Sequence, residues 1–326
     1  MGTLENRRKL TAVRGMGAAL VGFAGWIVLY VVFGLIEPNI FTTNNMLNLL
    51  RSMAKYLLVG VGQGVILITG NIDLSIGSVV AMSAMISATM MSHGTAAIVA
   101  VCAAIVCCLA VGVINGLLVG KFKLPPFIAT LGTQTIIYGI SLVFTDAQPI
   151  GGFQESYNNL INGCIGDPKG FYLPYLLFVA VIFGLFFWFL YNKTCHGKYM
   201  YAIGGNEIAA EVSGVNTKKA KILIYMTAGI MYAMAGYLLA AKSGGASASM
   251  GNGYELEAIA GCTIGGVSTT GGIGTIGGVL VGVLVFEFLK IVLQFLGVNP
   301  YYNYMVQGIV IVTAVALDIR KYIAKK

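Results

Sequence analysis

Residues 95–120 read Thr95-Ala-Ala-Ile-Val-Ala-Val-Cys-Ala-Ala-Ile-Val-Cys-Cys-Leu-Ala-Val-Gly-Val-Ile-Asn-Gly-Leu-Leu-Val-Gly120, and the first charge after them is Lys121. Apolar residues fill consecutive positions and do not alternate with polar ones. That pattern excludes a barrel strand, which must face a polar lumen at every second residue. As a helix the run rises about 39 Å, enough to cross a hydrocarbon core of roughly 30 Å. Lipid offers no hydrogen bonds to the backbone, so a helix is the form that can span there.

The rest of the chain repeats this character. Of 326 residues, 57% are hydrophobic and only 10% charged, whereas a soluble domain carries roughly 25% charged residues. A single core could not hide so much apolar surface, so lipid must solvate part of it. We place helices at about 17–36, 46–70, 77–92, 95–120, 125–145, 172–192, 219–242, 254–266, 271–296 and 301–318. The fold class is all-α, a polytopic membrane protein forming one transmembrane domain over 1–326. Arg7-Arg8-Lys9 leads into an apolar stretch too long for the core of a cleavable signal.

Ten crossings return both termini to one side, and the positive-inside rule names that side as cytoplasmic. The inside segments then hold Arg7, Arg8, Lys9, Arg14, Lys121, Lys123, Lys193, Lys198, Lys218, Lys219, Lys221, Arg320, Lys321, Lys325 and Lys326, fifteen of the twenty basic residues. Four lie on or near the outside, namely Arg51, Lys55, Lys169 and Lys242, and Lys290 lies within a helix. The longest outside loop is 146–171 and the longest inside loop 193–218. The expected location is the inner (cytoplasmic) membrane.

Several function classes find no support. The net charge of +8 is scattered and forms no nucleic-acid stripe. Two histidines and six cysteines show no metal spacing, and Cys102, Cys107, Cys108 and Cys262 sit in apolar runs as small hydrophobes. No Gly-x4-Gly-Lys-Ser/Thr loop is present, so any ATP must be hydrolysed by another subunit. No cofactor is expected in this chain, and no polar catalytic cluster suggests an enzyme.

Two segments resemble one another: Ile66-Leu-Ile-Thr-Gly-Asn-Ile-Asp-Leu-Ser-Ile-Gly-Ser78 and Thr263-Ile-Gly-Gly-Val-Ser-Thr-Thr-Gly-Gly-Ile-Gly-Thr275. Each carries an apolar run into glycines with hydroxyl or acid residues, then opens a new helix. Residues 254–266 would rise only about 20 Å as a helix, so 265–275 is expected inside the protein at membrane depth. Interrupted helices at corresponding places point to a transport pathway; plain glycine packing is the bland alternative. The pathway candidates are Asn71, Asp73, Ser75, Gln134, Ser268 and Thr269. Asp73 also reads as an N-cap of the helix beginning near Gly77. Glu287 and Lys290 read as an intrahelical pair, Glu255 and Glu257 as favourable charge at a helix N-terminus, and Gln63 as a polar packing position.

The inside loop contains Ala202-Ile-Gly-Gly-Asn-Glu-Ile-Ala-Ala-Glu-Val-Ser-Gly-Val215. Asn206 is a credible N-cap, and the short helix after it stops before Gly214. Such a helix is too short to be stable alone, so it docks on a partner or lies on the bilayer.

Together, Gly70-Asn-Ile-Asp-Leu-Ser-Ile-Gly77, Pro126-Phe-Ile-Ala-Thr-Leu-Gly132, Tyr201-Ala-Ile-Gly-Gly-Asn206, Ala209-Ala-Glu-Val-Ser-Gly214 and Gly265-Gly-Val-Ser268 resemble the permease subunits of ribose, xylose and galactose ABC importers. The resemblance covers nearly the whole chain. Gly297-Val-Asn-Pro-Tyr-Tyr-Asn-Tyr-Met305 with Ala314-Val-Ala-Leu-Asp318 looks most like the galactose/methyl-galactoside branch. It implies a permease homodimer, a cytoplasmic ABC ATPase subunit and a periplasmic or extracytoplasmic sugar-binding protein. Glu207, Ala209, Ala210 and Gly214 are similar to the family's Glu-Ala-Ala…Gly ATPase-coupling segment, although Ile208 interrupts the usual adjacency. An ion-coupled secondary transporter is the competing reading; it would need Asp73 or Glu287 as its coupling group.

Overall fold

The computed structural model describes residues 23–152, 163–166, 172–299 and 301–323. The basic N-terminus, the expected helix start at 17–22, most of the outside loop, Pro300 and the last lysines lie outside the described residues.

Every segment expected to be a helix contains one. Helix α1 covers Phe23–Ile36. A 3-10 turn, Pro38–Phe41, leads into α2 (Thr43–Ile68), α3 (Ile76–Ser92), α4 (Ala97–Gly120), α5 (Pro126–Phe144) and α6 (Tyr175–Lys193). Two short helices follow, α7 (Cys195–Gly205) and α8 (Glu207–Val212), then α9 (Thr217–Ser243), α10 (Tyr254–Ile264), α11 (Ile276–Phe295) and α12 (Tyr302–Ile323). Helix α7 is an addition to the expected set. Helix α11 starts five residues later than expected, because Gly271, Gly272 and Gly274 have positive φ and cannot continue a right-handed helix. The few strands are minimal. β1 (Ile150–Gly151) pairs antiparallel with β4 (Gly245–Ala246), and β2 (Cys164–Gly166) with β3 (Tyr172–Pro174).

Among the described residues five helices are long and apolar enough to cross a membrane by length and composition: α4, α5, α6, α9 and α11. Helix α2 is equally long but carries Arg51, Lys55 and Gln63. It can, because it runs through the middle of the bundle: every residue from Leu58 to Thr69 is buried. Helix α9 is its main companion at the centre. Small residues bring the helices together. A Cβ at Gly112 would stand 2.5 Å from Tyr225 O, and one at Gly116 would stand 2.6 Å from Ile222 Cα, so α4 meets α9 backbone to backbone. Helices α4, α5 and α6 turn most of their surface outward. Their exposed residues, such as Val106, Ile136, Val143 and Ile182, form the apolar surface that a bilayer covers.

Candidate translocation and coupling site

The two similar segments meet in space. Ile68, the last residue of α2, accepts a 2.8 Å hydrogen bond at its carbonyl from the Gly272 N–H. Gly271 sits at φ +90°, and a Cβ there would lie 2.7 Å from the Gly70 nitrogen and Cα. The turn after α2 and the turn before α11 therefore meet backbone to backbone at Gly70 and Gly271, with the Ile68 side chain lying against Gly274. Helix α11 then opens with Thr275 as its N-cap, whose Oγ1 accepts from Gly278 N at 2.9 Å.

The short helices of the 193–218 loop rest on this joint. The Tyr201 hydroxyl on α7 donates to Gly274 O at 3.0 Å. A Cβ at Gly204 would strike both the Ile68 carbonyl and the Gly272 nitrogen. Helix α8 follows with the expected cap, Asn206 Oδ1 accepting from Ala209 N at 3.0 Å, and the expected exit at Gly214, φ +86°. Glu207 pairs with Lys221 on α9 at 2.8 Å. Ala210 is buried on Ile203 and Ala220 of the same loop region. The six-residue helix turns Ile208 and Val212 outward instead, at 76% and 84% exposure.

Above the joint lies a buried polar chain. Asp73 Oδ1 accepts from the Ser75 N–H at 2.8 Å and from the Ser75 hydroxyl at 2.6 Å. Ser75 Oγ accepts in turn from Asn115 Nδ2 at 2.9 Å, and Asn115 Oδ1 accepts from Thr133 Oγ1 at 2.6 Å. The Leu74 N–H donates to Thr130 Oγ1 at 3.0 Å. Asp73 is thus not the N-cap of α3, as the sequence suggested. Residues 71–74 belong to no helix or strand and the helix begins at Ile76, which puts Ser75 at the cap position. The carboxylate closes the turn just before the helix, a local bond typical of Asp. Asn71 folds back on Thr69, at 2.9 Å to its hydroxyl.

Residues 45–315 match the family described as "Branched-chain amino acid transport system / permease component". The chain belongs to this permease family. Individual relatives carry sugar names. The galactose/methyl galactoside import permease protein MglC of Haemophilus influenzae is 40% identical over 320 residues, covering 92% of this chain and 95% of that protein. The ribose import permease protein RbsC of Bacillus subtilis is 38% identical over 320 residues, 98% of both chains. The Escherichia coli MglC is 38% identical over 319 residues, covering 92% and 95%. No solved structure matches.

In this permease the pathway candidates divide. Asn71, Asp73 and Ser75 gather at the start of α3. Ser268 and Thr269 lie on the opposing glycine turn, where the Ser268 hydroxyl is 2.8 Å from that of Thr270. Gln134 stands apart, half-buried on α5 one position beyond Thr133. Asn115, Thr130 and Thr133 were missed, although Asn115 is the single amide in the most apolar run of the chain and Thr130 and Thr133 are one helical turn apart.

A charged cluster was legible only in part. Glu287 and Lys290 pair at 3.3 Å as expected, but Lys290 also reaches Glu257 on α10 at 2.8 Å. Lys55 donates to the Tyr254 hydroxyl at 3.0 Å, and Lys242 bonds Ser52. Arg51, Lys55 and Lys242 are three of the four basic residues that break the positive-inside pattern. That exception was the signal for a cluster shared by α2, α9, α10 and α11.

Proposed function

We propose that this chain is the membrane-spanning permease subunit of an ABC importer for a monosaccharide, galactose or methyl galactoside in preference to ribose. A separate cytoplasmic ATPase hydrolyses ATP, an extracytoplasmic binding protein delivers the sugar, and a second copy of the chain completes the channel. The chain lies in the inner membrane with both termini cytoplasmic, on the strength of the fifteen-to-four charge split.

The observation that carries this reading is the joint at Ile68, Gly272 and Gly204. A partner pressing on α8 moves α7, which bears on the two glycine turns together. Those turns end α2 and open α11, so displacement at the membrane surface reaches the bundle interior. The Glu207–Lys221 pair gives a second link, into α9. An ion-coupled carrier has no need of such a docking helix.

Reconstitution tests it. Proteoliposomes holding the permease, its ATPase and the binding protein should take up labelled galactose only with ATP on the ATPase side. Methyl galactoside should compete, and a protonophore should change nothing. Faster ribose uptake would move the substrate assignment to ribose. Uptake that persists without ATP and collapses with the protonophore would replace this reading with the ion-coupled one.

A further inference from the structure

A cavity of about 400 Å³ lies between α3, α4 and α5, apart from the joint and from the charged cluster. Its α3 wall runs from Met82 to Met90, about 12 Å along the helix axis at 1.5 Å per residue. Met85 stands between them, so three methionines form one flexible, adaptable face. On α5, Ile140 and Phe144 border the cavity and are themselves 57% and 59% exposed, so its mouth opens on the apolar flank that faces lipid.

Its polar content is two hydroxyls and the weakly polar thiol of Cys107. Thr89 Oγ1 already donates to Met85 O at 2.8 Å. Ser141 is 3% exposed, and its hydroxyl has no hydrogen-bond partner among the described residues. A bound water needs two to four polar partners, which this cavity does not provide. An unpaired buried hydroxyl is costly, so the site calls for an apolar occupant carrying one acceptor. Ser141 is three residues from the end of α5 at Phe144, about 4.5 Å along the axis. That is the depth at which a hydrocarbon core gives way to its polar boundary.

We propose that this cavity binds one acyl chain of a membrane glycerolipid, with its ester carbonyl accepting from the Ser141 hydroxyl and its tail running past Met90 and Met85 toward Met82. The occupant is a lipid because the cavity is continuous with the lipid-facing surface, elongated along α3 and apolar except at one end. The proposal rests on membrane placement alone and is independent of the transported substrate.

The test uses the full-length permease in nanodiscs of phosphatidylethanolamine and phosphatidylglycerol, doped with a phospholipid bearing a diazirine near the acyl terminus. Photolabel should concentrate on the peptides holding Met82–Met90 and Ile140–Phe144. Ile86→Trp, which fills the cavity, should reduce that label to the level of the general lipid-facing surface. Ser141→Ala should weaken retention by about threefold, the loss of one ordinary hydrogen bond. Ile128→Trp, on the same helix at a 63% exposed position, should change nothing. Label spread evenly over α4, α5 and α6, and unchanged in Ile86→Trp, would mean boundary lipid only and overturn the proposal. So would absence of label together with a disulfide between protomers through Cys107, since a second copy would then cover the site. Should Ile86→Trp fail to fold, unchanged retention in Ser141→Ala overturns it.

Discussion

Replacing Ile208 and Val212 together with Asp should detach the ATPase without disturbing the permease. Full burial of one such side chain is worth about 1.5–3 kcal/mol. At 76% and 84% exposure, most of that gain is still available to a partner. The pair therefore contributes about 2.5–5 kcal/mol to docking, and the loss should weaken ATPase binding about 100-fold or more at 1.4 kcal/mol per factor of ten. Neither side chain holds the loop together, so thermal stability should stay at the wild-type value. Ala210→Glu should behave differently. Its side chain would enter the contact with Ile203 and Ala220, and overpacking costs about 1–3 kcal/mol, so stability and binding should fall together. The assay is titration of fluorescent ATPase onto purified permease, with thermal unfolding of the same samples. Wild-type affinity in the double Asp variant would refute the docking face and leave α8 as a turn lying on the bilayer.

Three further outcomes are expected. Asp73→Asn keeps an acceptor for the Ser75 amide and hydroxyl, whereas Asp73→Leu leaves both donors unmet at about 1–3 kcal/mol each; equal losses of thermal stability would show that charge, not acceptance, matters there. Gly271→Ala would force a side chain to φ +90° within 2.7 Å of the Gly70 backbone, so uptake should be lost while membrane insertion persists, as surface labelling of intact cells would report; normal uptake would remove the joint from the mechanism. Lys290→Met strands Glu257 and Glu287 and should cost about 3–5 kcal/mol, with partial recovery in the Lys290→Met/Glu257→Gln pair; a melting temperature equal to wild type would mean the cluster is not structural.

Much of this was legible because membranes simplify the reading of sequence. Apolar runs such as 97–120 have one stable form in lipid, and the helix ends fall within a few residues of where polar residues and glycines place them. The cap at Asn206 and the exit at Gly214 were equally readable, because both signals are local. What was not legible depends on partners distant in sequence. Ala210 and Val212 look alike as small apolar residues, and only the position of α9 decides that the first is buried and the second exposed. Asp73 was placed at a helix cap because Asp and Ser are both favoured there, and residues 71–74, which belong to no helix or strand, carry no pattern that separates them from the cap position at Ser75. The Lys55–Tyr254 and Lys290–Glu257 contacts join residues 199 and 33 apart. For Lys55 the failure to obey the positive-inside rule was the hint of burial; for Lys290 it was a charge inside an apolar helix.

The similarity between the two glycine segments acquires a physical meaning from the way they touch. At Gly70 and Gly271 no side chain separates the turns, and Gly204 of α7 completes the contact with its own backbone. Side-chain contacts can absorb small displacements by changing rotamer, but backbone contacts cannot, because a packed interior has no free volume for it. A shift of α7 must therefore move the end of α2 and the start of α11 as one body. The Tyr254 end of α10 and the Phe295 end of α11 are held to α2 through Lys290, Glu257 and the Lys55–Tyr254 bond. The eleven residues of α10 are bound to α11 by backbone contact as well: a Cβ at Gly265 would stand 2.1 Å from Gly278 O, and one at Gly282 2.1 Å from Gly261 O, so by the same argument α10 must follow the start of α11.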